Sequence, residues 1–274
     1  MTESLDEQVL HRVTDGVAWI TLNRPDAANA ITYQQRNLVI DLLNEASADY
    51  HVRAVVITAA GERHFCTGAD LRAAQPEIAR PSDAPDIPSG HVSRNIRIGA
   101  QRLVAAILDC EKPVIGAING TAAGIGAHIA LACDLVIAAD NAKFIEVFVR
   151  RGIIPDGGGA YLLPRTIGLQ KAKELMFFGD ELPVEEAARL GIVNKIVPGA
   201  ELEAAAQEWA SRLATGPTRA ISMTKWLLNR SLDSDRAGAF YEESYAQELM
   251  MNSFDANEGV NAFKERRDPT YKGW

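Results

Sequence analysis

The chain has 274 residues, of which 47% are apolar, with 28 basic side chains against 36 acidic ones for a net charge of −8. That length supports a substantial core, as one large domain or a domain with an appendage. The negative balance argues against a general nucleic-acid role, and no apolar run reaches the roughly 20 residues of a membrane span. Met1 to Gln8 is acidic and polar, so no secretory signal is expected. The three cysteines, Cys66, Cys110 and Cys133, lack metal-type spacing and read as small hydrophobes in a reducing, cytoplasmic setting.

Val9–Val13 and Val17–Leu22 flank Asp15-Gly16, a hairpin signal. Tyr33 to Tyr50 carries Leu38, Leu42, Leu43 and Ala46 at the spacing of an amphipathic helix, and Ala54 to Thr58 reads as a buried strand. Between Ala73 and Gly90, Pro76, Pro81, Pro85 and Pro88 exclude a regular helix or central strand. This stretch is expected to be a long loop over the mouth of a pocket. Helix returns over Ser93 to Asp109, with Ile96, Ala100, Leu103 and Ile107 on one face. A strand over 113–118, a helix from about Ile125 to Ala132 and a strand over 134–138 follow. From about Ala200 onward only helices are expected, interrupted at Thr215-Gly216-Pro217 and at Asp255-Ala256-Asn257.

Two segments stand out: His64-Phe65-Cys66-Thr67-Gly68-Ala69-Asp70-Leu71 and Ile118-Asn119-Gly120-Thr121-Ala122-Ala123-Gly124-Ile125-Gly126-Ala127-His128. Each follows an apolar strand and turns through small residues toward a stretch with helical spacing. Such turns aim free backbone N–H groups at one point, and two that converge make an oxyanion hole. The pair resembles the signature of the enoyl-CoA hydratase/isomerase (crotonase) superfamily. The resemblance continues through Leu22-Asn23-Arg24-Pro25-Asp26-Ala27-Ala28-Asn29-Ala30-Ile31, Cys133-Asp134-Leu135-Val136-Ile137-Ala138, Gly152-Ile153-Ile154-Pro155-Asp156-Gly157-Gly158-Gly159, Ala187-Ala188-Arg189-Leu190-Gly191-Ile192-Val193 and Glu258-Gly259-Val260-Asn261-Ala262-Phe263. It implies an α/β fold, a spiral of stacked β-β-α units over 1–200. A C-terminal helical region over 201–274 would build a homotrimer or a dimer of trimers, with Leu249, Met250, Met251 and Phe254 as interface candidates.

Carried over residue by residue, the resemblance places the oxyanion donors on the backbone N–H groups of Ala69 and Ile125. At two further positions the chain departs from the hydratases, where glutamates handle the water and the α-proton. Here those positions are His128 and Phe148. Syn hydration needs two acid/base groups around one water, and a phenyl ring moves no proton. Glu146 would replace the missing carboxylate only with a local change of register; otherwise it is a solvated or ion-paired side chain. Asp156 is open to two readings: an N-cap for the helix starting near Ala160, or the aspartate with which several isomerase-type relatives shuttle a proton. His128 is either a satisfied core histidine or a group that orients Asp156, holds a polar part of the substrate, or activates water.

For CoA the resemblance points to Ala27, Ala28 and Ala30, to Thr67 and Asp70 near the adenine, to Arg24, and to Phe263 and Lys264 of the same or a neighbouring subunit. The basic cluster Lys264, Arg266 and Arg267 also reads as a solvated helix end. No cofactor beyond the CoA of the substrate is expected. Gly124-Ile125-Gly126 lacks the last glycine of a dinucleotide fingerprint, and there is no phosphate-loop lysine motif or metal spacing. The leading expectation is a double-bond isomerase of acyl-CoA thioesters acting through an enolate, with Asp156 as shuttle. The alternatives are a hydratase with reassigned groups, a hydrolase or retro-Claisen lyase using His128 and Asp156, and a CoA-binding scaffold without catalysis.

Overall fold

A computed structural model describes residues 4–73, 81–83, 85, 87 and 89–274. The chain opens with a short helix, α1 (Leu5–Gln8), and a hairpin of β1 (Val9–Thr14) and β2 (Val17–Leu22). Asp15 and Gly16 both take positive φ, as a tight two-residue hairpin turn requires. Helix α2 (Tyr33–Ala48) is held at its start by a reciprocal Thr32–Gln35 capping box. Strands β3 (Ala54–Ala59), β4 (His64–Cys66), β5 (Val114–Ile118), β6 (Thr121–Ala123), β7 (Leu135–Ala139), β8 (Lys143–Ile145), β9 (Glu181–Pro183) and β10 (Lys195–Val197) complete two sheets. Six strands are ordered β1-β2-β3-β5-β7-β10, parallel apart from the hairpin, and a smaller sheet runs β4-β6-β8-β9.

The remaining helices are α3 (His91–Ile98), α4 (Ala100–Leu108), α5 (Ile125–Ala132), α6 (Gly159–Ile167), α7 (Leu169–Phe178), α8 (Val184–Arg189), α9 (Leu202–Ala214), α10 (Thr218–Ser231), α11 (Arg236–Met251) and α12 (Phe254–Glu265). β3 reads as a continuous apolar run because both faces of the large sheet are covered. Val55 and Ile57 face the core shared with α2, α4 and α5, whereas Ala54 and Val56 face Ala206 and Ala210 of α9. The spiral thus alternates strands between the large and small sheets, with helices filling the space between them.

Several expectations need correction. The helix over 93–109 is two helices, broken at Gly99, where an added Cβ would lie 2.4 Å from Arg36 Nη1 and 2.5 Å from the Asn95 carbonyl. Asp255-Ala256-Asn257 does not interrupt a helix; it forms the first turn of α12, and the break lies at Ser253, whose side chain caps it. Leu71–Ala73 forms turns rather than a helix, and among the described residues no helix follows the first small-residue segment before His91. From Leu202 onward the chain is helical through α9–α12, and α9 packs on the large sheet. Of the proline-rich loop, residues 74–80, 84, 86 and 88 lie outside the described residues, while Ala73 and Ile87 do line the cleft described next.

Candidate active site

The two small-residue turns meet. Gly68 has φ +119° and Gly124 φ +55°, and a Cβ added at Gly124 would lie 3.8 Å from the Gly68 Cα. That separation is ordinary van der Waals contact; it is the positive φ at both positions that calls for glycine. Ile31 N–H donates to the Gly68 carbonyl and Asp70 N–H to the Ile31 carbonyl, each at 2.9 Å. This one-residue ladder leaves the Ala69 N–H on the opposite edge. Ile125 is the first residue of α5 and has no acceptor one turn back. Helix α5 is pressed against the first turn so closely that a Cβ at Gly126 would sit 2.0 Å from the Cys66 carbonyl oxygen.

Both N–H bearing residues border a cleft of about 570 Å³. Its apolar walls include Ile31, Ile96, Ile125, Val147 and Phe148, and its polar lining includes Tyr33, Arg36, His91, Asn95 and Asp156. Asp70 also lines it, but its carboxylate is taken: Arg24 Nη1 donates to Oδ2 at 2.9 Å and Arg72 N–H to Oδ1 at 3.0 Å. Arg24 holds its carboxyl below the usual range against the opposing effect of burial. Among the described lining residues, Asp156 is the one carboxylate without an ion-pair partner. Burial pushes its carboxyl above the ordinary range, and the nearby His128 opposes that rise. The N-cap reading of Asp156 fails, because α6 starts at Gly159 after a Gly158 cap without a side-chain bond.

His128 lies behind the cleft wall, fully buried. Its Nε2 is 3.1 Å from Glu146 Oε2, and its ring stacks on Phe148 with centroids 5.2 Å apart and planes 14° from parallel. Readings in which His128 touches substrate or activates a water in the cleft therefore lose their geometry. Glu146 is also buried, so the solvated reading of that side chain is wrong; it belongs to His128. Neither residue lines the cleft. Their pairing is not legible in the sequence, because the contact joins α5 to the residue after β8, which no local pattern announces. The run Gly157-Gly158-Gly159 was the available signal: a Cβ at Gly159 would fall 2.1 Å from His128 Nε2.

The expected CoA residues divide into three groups. Thr67 and Asp70 line the cleft. Arg24, Ala27, Ala28 and Ala30 lie on the adjoining loop, tied to the first turn by Arg24 and by Thr67 Oγ1 donating to the Ala28 carbonyl at 3.1 Å. Arg24 Nη1 is engaged with Asp70 and the Ala30 carbonyl, which makes it a brace for this loop. Phe263 and Lys264, exposed on α12, are not brought to the cleft by the chain itself. Arg267 is bound by Glu258 and Glu265, in keeping with a helix-end role.

The enoyl-CoA hydratase/isomerase family model matches residues 12–274. The 1,2-epoxyphenylacetyl-CoA isomerase of Escherichia coli is 36% identical over 267 residues, covering 97% of this chain and 99% of that protein. The short-chain-enoyl-CoA hydratase of Clostridium acetobutylicum is 34% identical over 253 residues, 92% of each chain. The crystal structure of an enoyl-CoA hydratase from Bacillus anthracis superposes with a TM-score of 0.87 at 32% identity, covering 97% of this chain and 100% of that one. With the converging glycine turns, the cleft and a match over nearly its whole length, this chain belongs to the enoyl-CoA hydratase/isomerase family and has the crotonase fold.

Proposed function

We propose that the protein is an isomerase that moves a carbon–carbon double bond in an acyl-CoA thioester. The observation that carries this reading is Asp156 standing without an ion-pair partner in the cleft, with Phe148 in the wall and no second free carboxylate among the described lining residues. The thioester carbonyl accepts hydrogen bonds from the Ala69 and Ile125 N–H groups. Asp156 takes a proton from the α-carbon of a 3-enoyl chain, and the C–H electron pair enters a dienolate whose negative charge rests on the thioester oxygen. Each oxyanion donor typically contributes about 2.7–4 kcal/mol to such a transition state. The carboxylic acid then returns the proton at the γ-carbon, and the double bond becomes conjugated. One carboxylate serves both steps, and a base whose affinity for protons is raised by burial suits them. No cofactor is invoked beyond the CoA of the substrate. The CoA is read to run along the 27–30 loop and Thr67, with Phe263 and Lys264 reaching the nucleotide of a neighbouring subunit.

The test is incubation with a 3-enoyl-CoA in D₂O, followed by mass spectrometry of the acyl-CoA. Conjugation of the double bond with deuterium uptake and no gain of water is the expected result. Gain of water instead would make the protein a hydratase with other acid/base groups. A bound but unchanged thioester would make it a scaffold.

A further inference from the structure

His128 has one nitrogen accounted for and one not. Nε2 meets Glu146, while Nδ1 is fully buried without a hydrogen-bond partner. The unpartnered nitrogen faces the turn that carries Asp156, because a Cβ added at Gly157 would lie 2.9 Å from it. The ring also presses on Gly159 and is held flat against Phe148, a cleft-lining residue. Three constraints therefore fix one imidazole in one orientation: a carboxylate at one edge, an aromatic ring on one face and two glycines that leave it room. A carboxylate is an acceptor only, so it selects the form of the ring with a proton on Nε2.

We propose that Glu146 and His128 form a buried positioning dyad for Asp156: Glu146 orients the imidazole by accepting Nε2–H, and the imidazole sets the Pro155–Gly159 turn and presents Nδ1 to it. The inference rests on Asp156 being the acid/base group. The dyad touches neither substrate nor reacting atoms and acts through Asp156 alone. It accounts for three features that otherwise have no common cause: a carboxylate buried behind the cleft, an orphaned ring nitrogen, and a triple glycine where a helix begins.

The surroundings of the ring are otherwise low in charge. Besides Glu146 and Asp156, Asp180 borders the same small void as Glu146, and the methylene stem of Arg150 packs at Gly179 near the Glu146 carbonyl. The atoms against Gly157 and Gly158 from α4 are those of Ala100 and Val104. His128 favours ionised Asp156 against the effect of burial, so a ring that loses its orientation with Glu146 leaves Asp156 more readily protonated.

The first test is the ring itself. In ¹⁵N-histidine protein without ligand, the His128 signals are assigned by replacing His11, His51, His64 and His91 in turn. The proposal expects a proton on Nε2 throughout, and a neutral form protonated on Nδ1 would overturn it. The second test compares Glu146→Gln with Glu146→Ala, using a 3-enoyl-CoA. Gln preserves the shape and an acceptor but not the charge. Glu146→Gln is expected to lower kcat about tenfold, the scale typical of a group that acts through another, with KM and Tm unchanged. The acid limb of its pH profile should move to higher pH. If Glu146→Gln keeps the wild-type kcat and pH profile and only Glu146→Ala loses activity together with Tm, the dyad is mere packing and the proposal fails. Asp156→Asn separates the two levels. Full turnover in that variant would remove the isomerase reading, whereas an inactive Asp156→Asn beside an unaltered Glu146→Gln would remove the dyad alone.

Discussion

Burial that makes Asp156 a better base also makes it a costly residue for the native state. Its carboxyl binds a proton more readily when folded than the ordinary carboxylate does. Between the unfolded and folded pKa values the native state therefore holds more protons, and stability falls as pH rises through that window. A neutral asparagine escapes the cost. Asp156→Asn should lower kcat by 10²-fold or more, the range for an acid/base group, while KM changes little. The same variant should melt at a higher temperature than the wild type at pH 7, and the gain should vanish below the ordinary aspartate pKa of about 3.9. Thermal scans at several pH values check the sign; a Tm at neutral pH equal to or below the wild-type value would contradict the account. The kcat/KM profile should lose activity on the acid side as Asp156 takes up its proton.

At the scale of elements, the site depends on how closely α5 meets β4. The obstacle to a side chain at Gly126 is a backbone carbonyl, which cannot rotate away. Gly126→Ala should push Ile125 from Ala69, costing about 1–3 kcal/mol in urea denaturation as overpacking usually does and reducing kcat more than KM. A second joint lies where β5 begins. Lys225 of α10 pairs with Asp134 at 2.8 Å and donates to the Ile107 carbonyl at 2.9 Å, while Asp134 accepts from Val114 N–H at 2.7 Å. Burial raises the Asp134 carboxyl despite this lysine, so the aspartate depends on its partner. Lys225→Met should destabilise by about 3 kcal/mol, the lower end for breaking a buried pair, since Asp134 keeps some contact with solvent. Lys225→Met with Asp134→Asn should recover part of that loss. Asp134 thus has a structural role at the start of β7.

For the molecule as a whole, the helices beyond α9 leave much apolar surface uncovered. Leu249, Met251 and Phe254 are exposed in the single chain, as are Phe240 and Tyr241 of α11 and, outside this region, Phe177 and Phe178 of α7. Surface of this kind signals an interface, and we expect a mass in light scattering that is a multiple of three chains of 29.7 kDa. A monomer at micromolar concentration would refute that expectation and leave Phe263 and Lys264 without a neighbouring site to complete. No helix among the described residues is long and apolar enough to cross a membrane.

The fold was legible wherever a pattern is local or a motif carries its own geometry. The hairpin at Asp15-Gly16, the apolar strand at 54–59 and the helix from Ile125 follow from turn chemistry and periodicity alone. The glycine turns at 68 and 124 follow from the resemblance and are explained by the positive φ that both positions take. Short strands such as β4, β6 and β8 were hidden because three residues carry no period, and their pairing is a matter of long-range register. The break at Gly99 was hidden because Arg36, distant in sequence, occupies the space a side chain there would need. Asp156 could be singled out in the sequence, but two readings stood beside each other until the start of α6 removed the cap. Residue types and motifs in the chain carried the resemblance to a crotonase-type enzyme, with His128 and Phe148 where that resemblance puts the glutamates of hydratases. Only tertiary structure decided that Glu146 faces His128, because a buried polar group must find its partner in space, wherever along the chain that partner lies.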